Sequence, residues 1–376
     1  MLSLILVVIV AILFVSNRVP MAVISLGAAM ACGLLGFIEY KNVFSSLAGT
    51  SAVLLMSMMI VGGSVFHTGL ARKICQKIMG FTGNSLRGII LAIMIVSAVL
   101  SSICSNVGVV AVMLPIVYGI CKESKISPSK LLYPLALGAG IGGSITLVGT
   151  SSAASASSML EAATGATFGF LDFAWTGIPI TIVGILYMYF IGYKLLPDYE
   201  ADWNEIVIEE EGDTKKSKMM ICAVVIVAVV AAMIWNPNEL PLYMISSIGA
   251  LVLVATGCIS EKQAYKSIDW TTIAICGGMT ALSNGVIESG GGELIGNAVA
   301  NILGGSANPL IITETMAMIV AVASNSSFAT PVGAQAFTMV AEPGKYKFTD
   351  YVKMGLPVVL FAMICSLIIL PLVWSF

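Results

Sequence analysis

Residues 101–152 read SSICSNVGVVAVMLPIVYGICKESKISPSKLLYPLALGAGIGGSITLVGTSS, and their polar pattern indicates the class of fold. Ser105-Asn106 lies between two apolar arms, and a Gly/Ser/Thr-rich break follows at 142–151. Non-helical backbone at membrane depth is tolerated only where protein or a water-filled cavity covers it. Such interruptions are typical of transporter binding sites. The alternative interpretation is that these glycines and serines only let helices pack closely.

The composition of the whole chain agrees with a membrane location. Of the 376 residues, 58% are hydrophobic and 10% are charged, and the mean hydropathy is +0.99. Soluble domains average about 25% charged residues, so the sequence predicts an all-α polytopic membrane protein in the lipid bilayer. The net charge of −2 gives no sign of a nucleic-acid partner. The eight cysteines form no C-x-x-C pair and are interpreted as packing residues.

Apolar runs that could cross about 30 Å of hydrocarbon recur along the chain. They are residues 2–16, 20–37, 51–68, 131–148, 177–193, 219–235, 241–258, 271–287 and 351–374. Residues 70–79 place basic side chains on one helical face and apolar ones on the other, which predicts an interfacial helix.

The positive charges of the short loops predict the topology. If residues 86–120 form a re-entrant hairpin, Lys41 is the one basic residue opposite all the others. If that run crossed the membrane, the lysines at 122, 125 and 130 would lie opposite the basic residues at 72–87, and the asymmetry would be lost. We therefore predict a hairpin open to the cytoplasm and a non-cytoplasmic N-terminus, in the cell (inner or plasma) membrane.

The chain divides into two repeats, residues 1–197 and 219–376, around an acidic cytoplasmic linker at 198–218. Residues 19–25 match 240–246 at an offset of 221, and residues 170–179 match 348–357. Loop charges put Pro20 and Pro241 on opposite sides, so the repeat is predicted to be inverted, as in many secondary transporters. The first repeat would comprise spans, the interfacial helix 70–79, the hairpin 86–120, a broken helix at 131–160 and a span at 177–193.

The order of motifs resembles that of a known family. Ser105-Asn106 is followed by VMLPI at 112–116, ISPSKLL at 126–132 and GGSITLVGT at 142–150. Over nearly the whole chain, this resembles the divalent anion:sodium symporters of the ion transporter superfamily. The resemblance implies sodium-coupled symport of small anions, such as di/tricarboxylates or sulfate, by alternating access. It also implies a homodimer, with sodium as the coupling ion and no other cofactor or metal.

In that family each half contributes a hairpin tip reading Ser-Asn-Thr and a broken helix bearing Gly-Thr. The implied sodium-binding residues are Ser105, Asn106, Gly149, Thr150, Thr330 and Gly333, and the implied substrate-binding residues are Ser105, Asn106, Thr150, Ser151 and Ser326. Val107 stands where the family has threonine. Independently of the family, helix N-termini that meet at such breaks favour an anion, and helix C-termini favour a cation.

The second half is shorter than the first. Gly69 and Gly149 are 80 positions apart, whereas their counterparts Gly290 and Gly333 are 43 apart, so 37 residues are missing between 290 and 333. Because residues 324–340 lead directly into 348–357, they align with the helix break and not with a hairpin. We predict that the second hairpin is lost, with a junction at 313–316, that Glu314 has no function, and that coupled transport is impaired.

Other classes of function have less support in the sequence. The chain has one histidine and none of the H-E-x-x-H, G-x-S-x-G or Walker A motifs, so we do not expect an enzyme. Proton- or sodium-coupled antiport of an inorganic anion stays open. A passive anion channel also stays open, since paired re-entrant segments build pores too.

Overall fold

The computed structural model describes residues 2–16, 18–71, 73–74, 77, 85–199, 216–235, 240–291, 309–331 and 333–373. Within these ranges the regular structure is entirely helical, which confirms the all-α prediction.

The first half of the described chain contains eight α-helices. They are α1 (Leu2–Ser16), α2 (Met21–Leu34), α3 (Thr50–His67), α4 (Leu86–Ser101), α5 (Asn106–Ser124), α6 (Leu132–Gly143), α7 (Ser151–Thr164) and α8 (Ala174–Phe190). Short 3-10 helices lie at Tyr40–Asn42, Ser45–Ala48, Pro128–Lys130 and Gly192–Lys194.

The second half contains seven α-helices within the described residues. They are α9 (Lys216–Trp235), α10 (Leu242–Ala255), α11 (Glu261–Ser267), α12 (Trp270–Glu288), α13 (Pro309–Asn325), α14 (Gln335–Ala341) and α15 (Phe348–Val373).

Several of these helices have the length and composition of membrane spans. In the described part of the chain, four helical segments could cross a membrane: Tyr40–His67, Asn106–Ser124, Lys216–Trp235 and Phe348–Val373. Shorter apolar helices accompany them at Leu2–Phe14, Met21–Leu34, Leu86–Ser101, Ala174–Phe190 and Leu242–Ala255. The chain is therefore a multi-pass membrane protein.

The repeated segments have the same local structure. Helices α2 and α10 are each 14 residues long and start one residue after a proline, Pro20 or Pro241, whose φ angles are −55° and −57°. Gly36 and Gly257 follow the two helices with φ of +73° and +68°. Both glycines have the left-handed conformation that residues with a Cβ rarely adopt. All three features keep the offset of 221.

The two halves are interlocked by an exchange of helix partners. Helix α2 packs on α12 of the other half, and α10 packs on α3. A methyl group at Gly278 of α12 would lie 2.4 Å from the Ser25 carbonyl oxygen of α2. In the other pair, Ser57 Oγ of α3 lies 2.9 Å from Ser247 Oγ of α10.

Helix α6 is the central helix of the first half, and all twelve of its residues are buried. A helix that is buried all round needs small residues where neighbours approach closely. A methyl group at Gly142 would lie 2.2 Å from Ala98 Cα, and one at Gly138 would lie 2.9 Å from Met94 Cα. Gly138 and Gly142 therefore allow α4 to pack closely against α6.

The predicted hairpin corresponds to α4 and α5, joined by residues 102–105. Helix α5 ends at Ser124, beyond the expected residue 120, where Lys125 adopts a left-handed conformation with φ of +55°. The predicted broken helix 131–160 consists of α6, a break at 144–150, and α7, which ends at Thr164. On which side of the membrane the hairpin opens stays a prediction.

Two predictions fall partly on residues outside the described ranges. Of the expected interfacial helix 70–79, residues 70–71, 73–74 and 77 are helical and the others lie outside. Residues 292–308 also lie outside the described ranges, so the missing hairpin and the repeat boundaries stay predictions. Residue Glu314 belongs to α13, but the description does not extend to its side chain.

Candidate functional site

One part of the candidate site is the hairpin turn that precedes α5. Ser105 caps this helix, and its Oγ accepts a hydrogen bond of 3.1 Å from the Gly108 amide. The break after α6 passes over the turn, where Thr146 Oγ1 donates to the Ser102 carbonyl oxygen at 2.6 Å. The two polar interruptions of the sequence are therefore adjacent in the fold.

The Asn106 side chain lies between the hairpin and the broken helix. One terminal atom of its amide group lies 2.5 Å from Ser101 Oγ, 3.1 Å from the Gly149 carbonyl oxygen and 3.2 Å from the Ala139 carbonyl oxygen. If this atom is the nitrogen, it donates hydrogen bonds to these oxygens. If it is Oδ1, four oxygens face one another, and a cation between them would stabilise that arrangement.

Two glycines make this close approach possible. A methyl group at Gly149 would lie 2.2 Å from the Gly143 carbonyl oxygen, and one at Gly143 would lie 2.1 Å from Asn106 Oδ1. Both distances are far below contact distance, so larger residues would push the break away from the hairpin. Gly143 and Gly149 therefore shape the site, unlike Gly138 and Gly142.

Thr150 links the first break to the second half of the chain. It caps α7, and its Oγ1 accepts hydrogen bonds from the Ala153 amide at 3.4 Å and from Asn325 Nδ2 at 3.0 Å. Ser152 Oγ donates to the Asn325 side-chain oxygen. Asn325, the last residue of α13, thus joins both side chains, while the neighbouring Ser151 is exposed.

The second break, residues 326–334, holds the other predicted residues. Ser326 Oγ donates to the Val322 carbonyl oxygen at 2.9 Å, which is a bond within its own helix. A methyl group at Gly333 would lie 2.8 Å from Thr330 Oγ1, so these two residues are close together. Within the described residues, no hydrogen bond joins Thr330 or Gly333 to Asn106. The predicted sodium-binding residues thus form two separate groups.

The two breaks have the same relation to the helix that follows. A methyl group at Gly177 of α8 would lie 2.4 Å from the Ser144 carbonyl oxygen in the first break. A methyl group at Gly355 of α15 would lie 2.2 Å from the Phe328 carbonyl oxygen in the second. Gly177 and Gly355 are also the glycines matched in the sequence repeat. The second break thus resembles the first helix break, not a hairpin tip.

Both N-termini and C-termini of helices meet at the first break. Helices α4 and α6 end there, and α5 and α7 begin there. Carbonyl groups at helix C-termini carry partial negative charge, and amide groups at N-termini carry partial positive charge. The same small region therefore offers oxygens to a cation and N–H groups to an anion.

Three contributors to this region, and one residue outside it, were not among the residues predicted from sequence. Ser101 ends α4, and its hydroxyl was missed although it lies five residues before Asn106. No sequence pattern marks the carbonyl oxygen of Ala139, because every residue has this group. Asn325 was recognised as part of a polar segment, but its contact with Thr150 spans 175 residues. Glu161 of α7 was also overlooked.

Comparison with known proteins gives the family of the chain. Residues 11–317 match the family model described as citrate transporter. The chain belongs to the citrate transporter family. The family description concerns transport and gives no support to an enzymatic function. This match does not test the predicted specificity as a divalent anion:sodium symporter.

Several proteins that are similar to this chain are named as uncharacterised transporters. One from Escherichia coli, YfbS, is 31% identical over 52% of this chain and 32% of its own length. One from Synechocystis, sll0640, is 30% identical over 50% of this chain and 30% of its own length. The chain thus spans about a third of these two relatives.

A third relative matches nearly from end to end. The uncharacterised transporter of Haemophilus influenzae is 23% identical over 98% of this chain and 90% of its own length. That alignment extends over 432 positions, more than the 376 residues of the chain, so the relative has residues inside the matched span that this chain lacks.

Proposed function

We propose that the chain is a sodium-coupled carrier of small anions, with one complete half-site at Ser105, Asn106, Gly149 and Thr150. The observation that carries this proposal is the group of oxygens around the Asn106 amide. Carbonyl, hydroxyl and amide oxygens are the ligands that hard cations prefer. None of these groups carries a formal charge, which suits a monovalent ion better than a divalent one.

The orientation of the Asn106 amide would follow the sodium ion. Without sodium, the amide nitrogen faces Ser101, Ala139 and Gly149 and donates to their oxygens. With sodium, the amide oxygen faces them and all four oxygens bind the ion. The hairpin and the broken helix would then be joined by the ion.

The anion would bind next to the sodium ion, at the N-termini of α5 and α7. Ser105 and Ser151 lie there and supply hydroxyl groups, and backbone amides of the first helical turns supply further donors. Sodium would also neutralise part of the anion's charge, which makes binding of the two mutually dependent. The family description, which concerns citrate, supports a di- or tricarboxylate as the substrate.

Binding of sodium is tested on the purified full chain. Thermal unfolding would be followed in detergent while sodium chloride replaces choline chloride at constant ionic strength, with and without citrate, succinate or sulfate. We expect sodium to raise the midpoint and the correct anion to raise it further, since ligands of the folded state stabilise it. Asn106→Ala should weaken the sodium response.

The matched control is Asn42→Ala, because Asn42 lies in an exposed 3-10 helix away from the site. This variant should respond to sodium as the unaltered chain does. An unchanged sodium response in Asn106→Ala would remove Asn106 from the proposed site. Stabilisation by anions that is equal in sodium and choline would favour the passive channel over the coupled carrier.

A further inference from the structure

A second polar cavity lies apart from the Asn106 site. It has a volume of about 280 Å³ and lies between α3, α7, α12 and the 3-10 helix at Ser45–Ala48. Its lining includes the hydroxyl groups of Thr50, Ser158 and Thr280, the amide of Asn284 and the carboxyl group of Glu161. Glu161 is the one charged residue in this lining.

Hydrogen bonds hold the polar groups of the cavity in place across three helices. Thr50 Oγ1 of α3 donates to Glu161 Oε2 of α7 at 2.5 Å. Ser158 Oγ of α7 lies 3.0 Å from Thr280 Oγ1 of α12. Oxygens from all three helices therefore converge on one space.

The negative charge of the cavity is not balanced by a neighbouring side chain. Among the described residues, the ion pairs are Lys41 with Glu39 and Lys130 with Asp198, and neither involves Glu161. Nor does any described side chain form a hydrogen bond with the Asn284 amide, although this amide lines the cavity. A half-buried carboxylate without a counter-ion attracts cations more strongly than an exposed one, because the surroundings screen its charge less.

We infer that this cavity is a cation site, distinct from the one around Asn106, which binds a monovalent metal cation such as sodium. One carboxylate with several neutral oxygens gives the charge and the ligand type that such an ion requires. Divalent ions are usually held by more carboxylates, and the described residues contain no group of three or more histidine, cysteine, aspartate or glutamate side chains that could hold a metal ion. An anion would be repelled by Glu161.

The serine face of α7 connects this cavity with the Asn106 site. Ser151, Ser155, Ser158 and Glu161 recur at intervals of three or four residues, which places them along one face of the helix. From Ser151 to Glu161 this face extends about 15 Å at 1.5 Å per residue. The cavity therefore lies about three helical turns along α7 from the first break.

The inference is tested by titrating the full chain with sodium chloride in the detergent assay, and in parallel by equilibrium binding of radioactive sodium. Glu161→Gln keeps the shape and the hydrogen bond to Thr50 but removes the charge. We expect it to lose one class of bound sodium, with affinity there falling about tenfold or more. Glu288→Gln, on an exposed residue of α12, is the matched control and should bind sodium as the unaltered chain does.

The two sodium sites are distinguished by their variants. Asn106→Ala should keep the sodium that Glu161 holds, and Glu161→Gln should keep the sodium that Asn106 holds. Failure of the Asn106 site alone would contradict the proposed transport function and leave the cavity site standing. Equal sodium binding by Glu161→Gln and the unaltered chain would overturn the cavity site.

A measurement on the unaltered chain covers the case in which Glu161→Gln does not fold. A hydrophobic carbodiimide reacts with protonated carboxyl groups, and mass spectrometry of the peptide containing Glu161 reports the modification. Sodium chloride should protect Glu161 from the reagent, whereas choline chloride at the same concentration should not. Modification at equal rates in the two salts would also overturn the inference.

Discussion

Asn106 has two chemically different ends, and in the proposed site the presence of sodium determines which end faces Ala139 and Gly149. An amide nitrogen donates to these carbonyl oxygens directly, whereas an amide oxygen accepts a hydrogen bond from Ser101 Oγ and faces the two carbonyl oxygens without a donor. A single side chain can therefore serve the empty site and the occupied one without leaving a buried polar group unpaired. Aspartate at this position would lack a donor and leave the oxygens unsatisfied when sodium is absent.

Asn325 is the residue that carries the site into the second half of the chain. Replacing it with alanine removes the bond to Thr150 Oγ1 and the bond from Ser152. We expect Asn325→Ala to lower the free energy of unfolding by about 1–3 kcal/mol, because partners of a lost polar group stay partly buried. The measurement is thermal unfolding without sodium.

The control for Asn325→Ala is Ser324→Ala at the neighbouring position. The Ser324 hydroxyl bonds to the Ala321 carbonyl oxygen of its own helix, so its loss should change stability little. If the two variants unfold at the same temperature, Asn325 does not link the two halves in the way the contacts indicate.

At the scale of helices, replacing glycine with alanine is expected to have opposite effects on stability in α6 and in α2. Gly142→Ala puts a methyl group against Ala98 of α4, and overpacking of this kind costs about 1–3 kcal/mol. Gly27→Ala in α2 meets no atom within 4 Å and should be neutral or stabilising by up to about 1 kcal/mol, because alanine favours a helix. Fluorescence-detected thermal unfolding of both variants tests this.

Both variants exchange glycine for alanine within a helix. A difference in their stability therefore reports on the packing around each position. If Gly142→Ala were as stable as Gly27→Ala, then α4 would be able to move away from α6 without cost. The close packing of these two helices would then not contribute to the stability of the hairpin.

The sequence predicted most helices but placed several of their ends incorrectly. Apolar runs and the Pro/Gly pairs around α2 and α10 mark these helices clearly. Helix α5 was expected to end at 120, because residues 121–125 are mostly polar. The helix instead continues to Ser124, and the left-handed residue that follows is Lys125, which carries no such signal in its type. Helix α7 ends before Gly165, a signal that was present and not used.

The site was only partly predictable for a related reason. Ser105, Asn106, Gly149 and Thr150 lie in short polar motifs, and the structure brings these motifs together. The carbonyl oxygens of Ala139 and Gly149 belong to the backbone, which every residue has. The contact between Thr150 and Asn325 depends on how α13 packs on α7, and no local pattern encodes this.

At the scale of the whole molecule, the unequal lengths of the halves lead to a transport prediction. Proteoliposomes with the present chain should show little sodium-driven uptake of radioactive citrate, because the second half-site is predicted to lack most of a hairpin. The Haemophilus influenzae relative, whose matched region is longer, provides the comparison. Sodium-dependent stabilisation without matching uptake is the expected result for this chain.

Robust sodium-driven uptake by the 376-residue chain would contradict the predicted loss of the second hairpin. Insertion of the corresponding segment of the relative at the predicted junction, residues 313–316, offers the reverse test. If the shortening is what impairs coupling, the insertion should increase uptake. An insertion of equal length made of glycine and serine should not.

The exchanged pairing of α2 with α12 and of α3 with α10 has a consequence for biosynthesis. A ribosome completes α2 and α3 long before it reaches α10 and α12, so the early helices must wait in the membrane without their final neighbours. Chains released too early would expose these faces and become substrates of membrane proteases. Conversely, fragments 1–199 and 216–376 should associate when they are synthesised as separate polypeptides. Co-purification of both fragments through a tag on one of them would show this association.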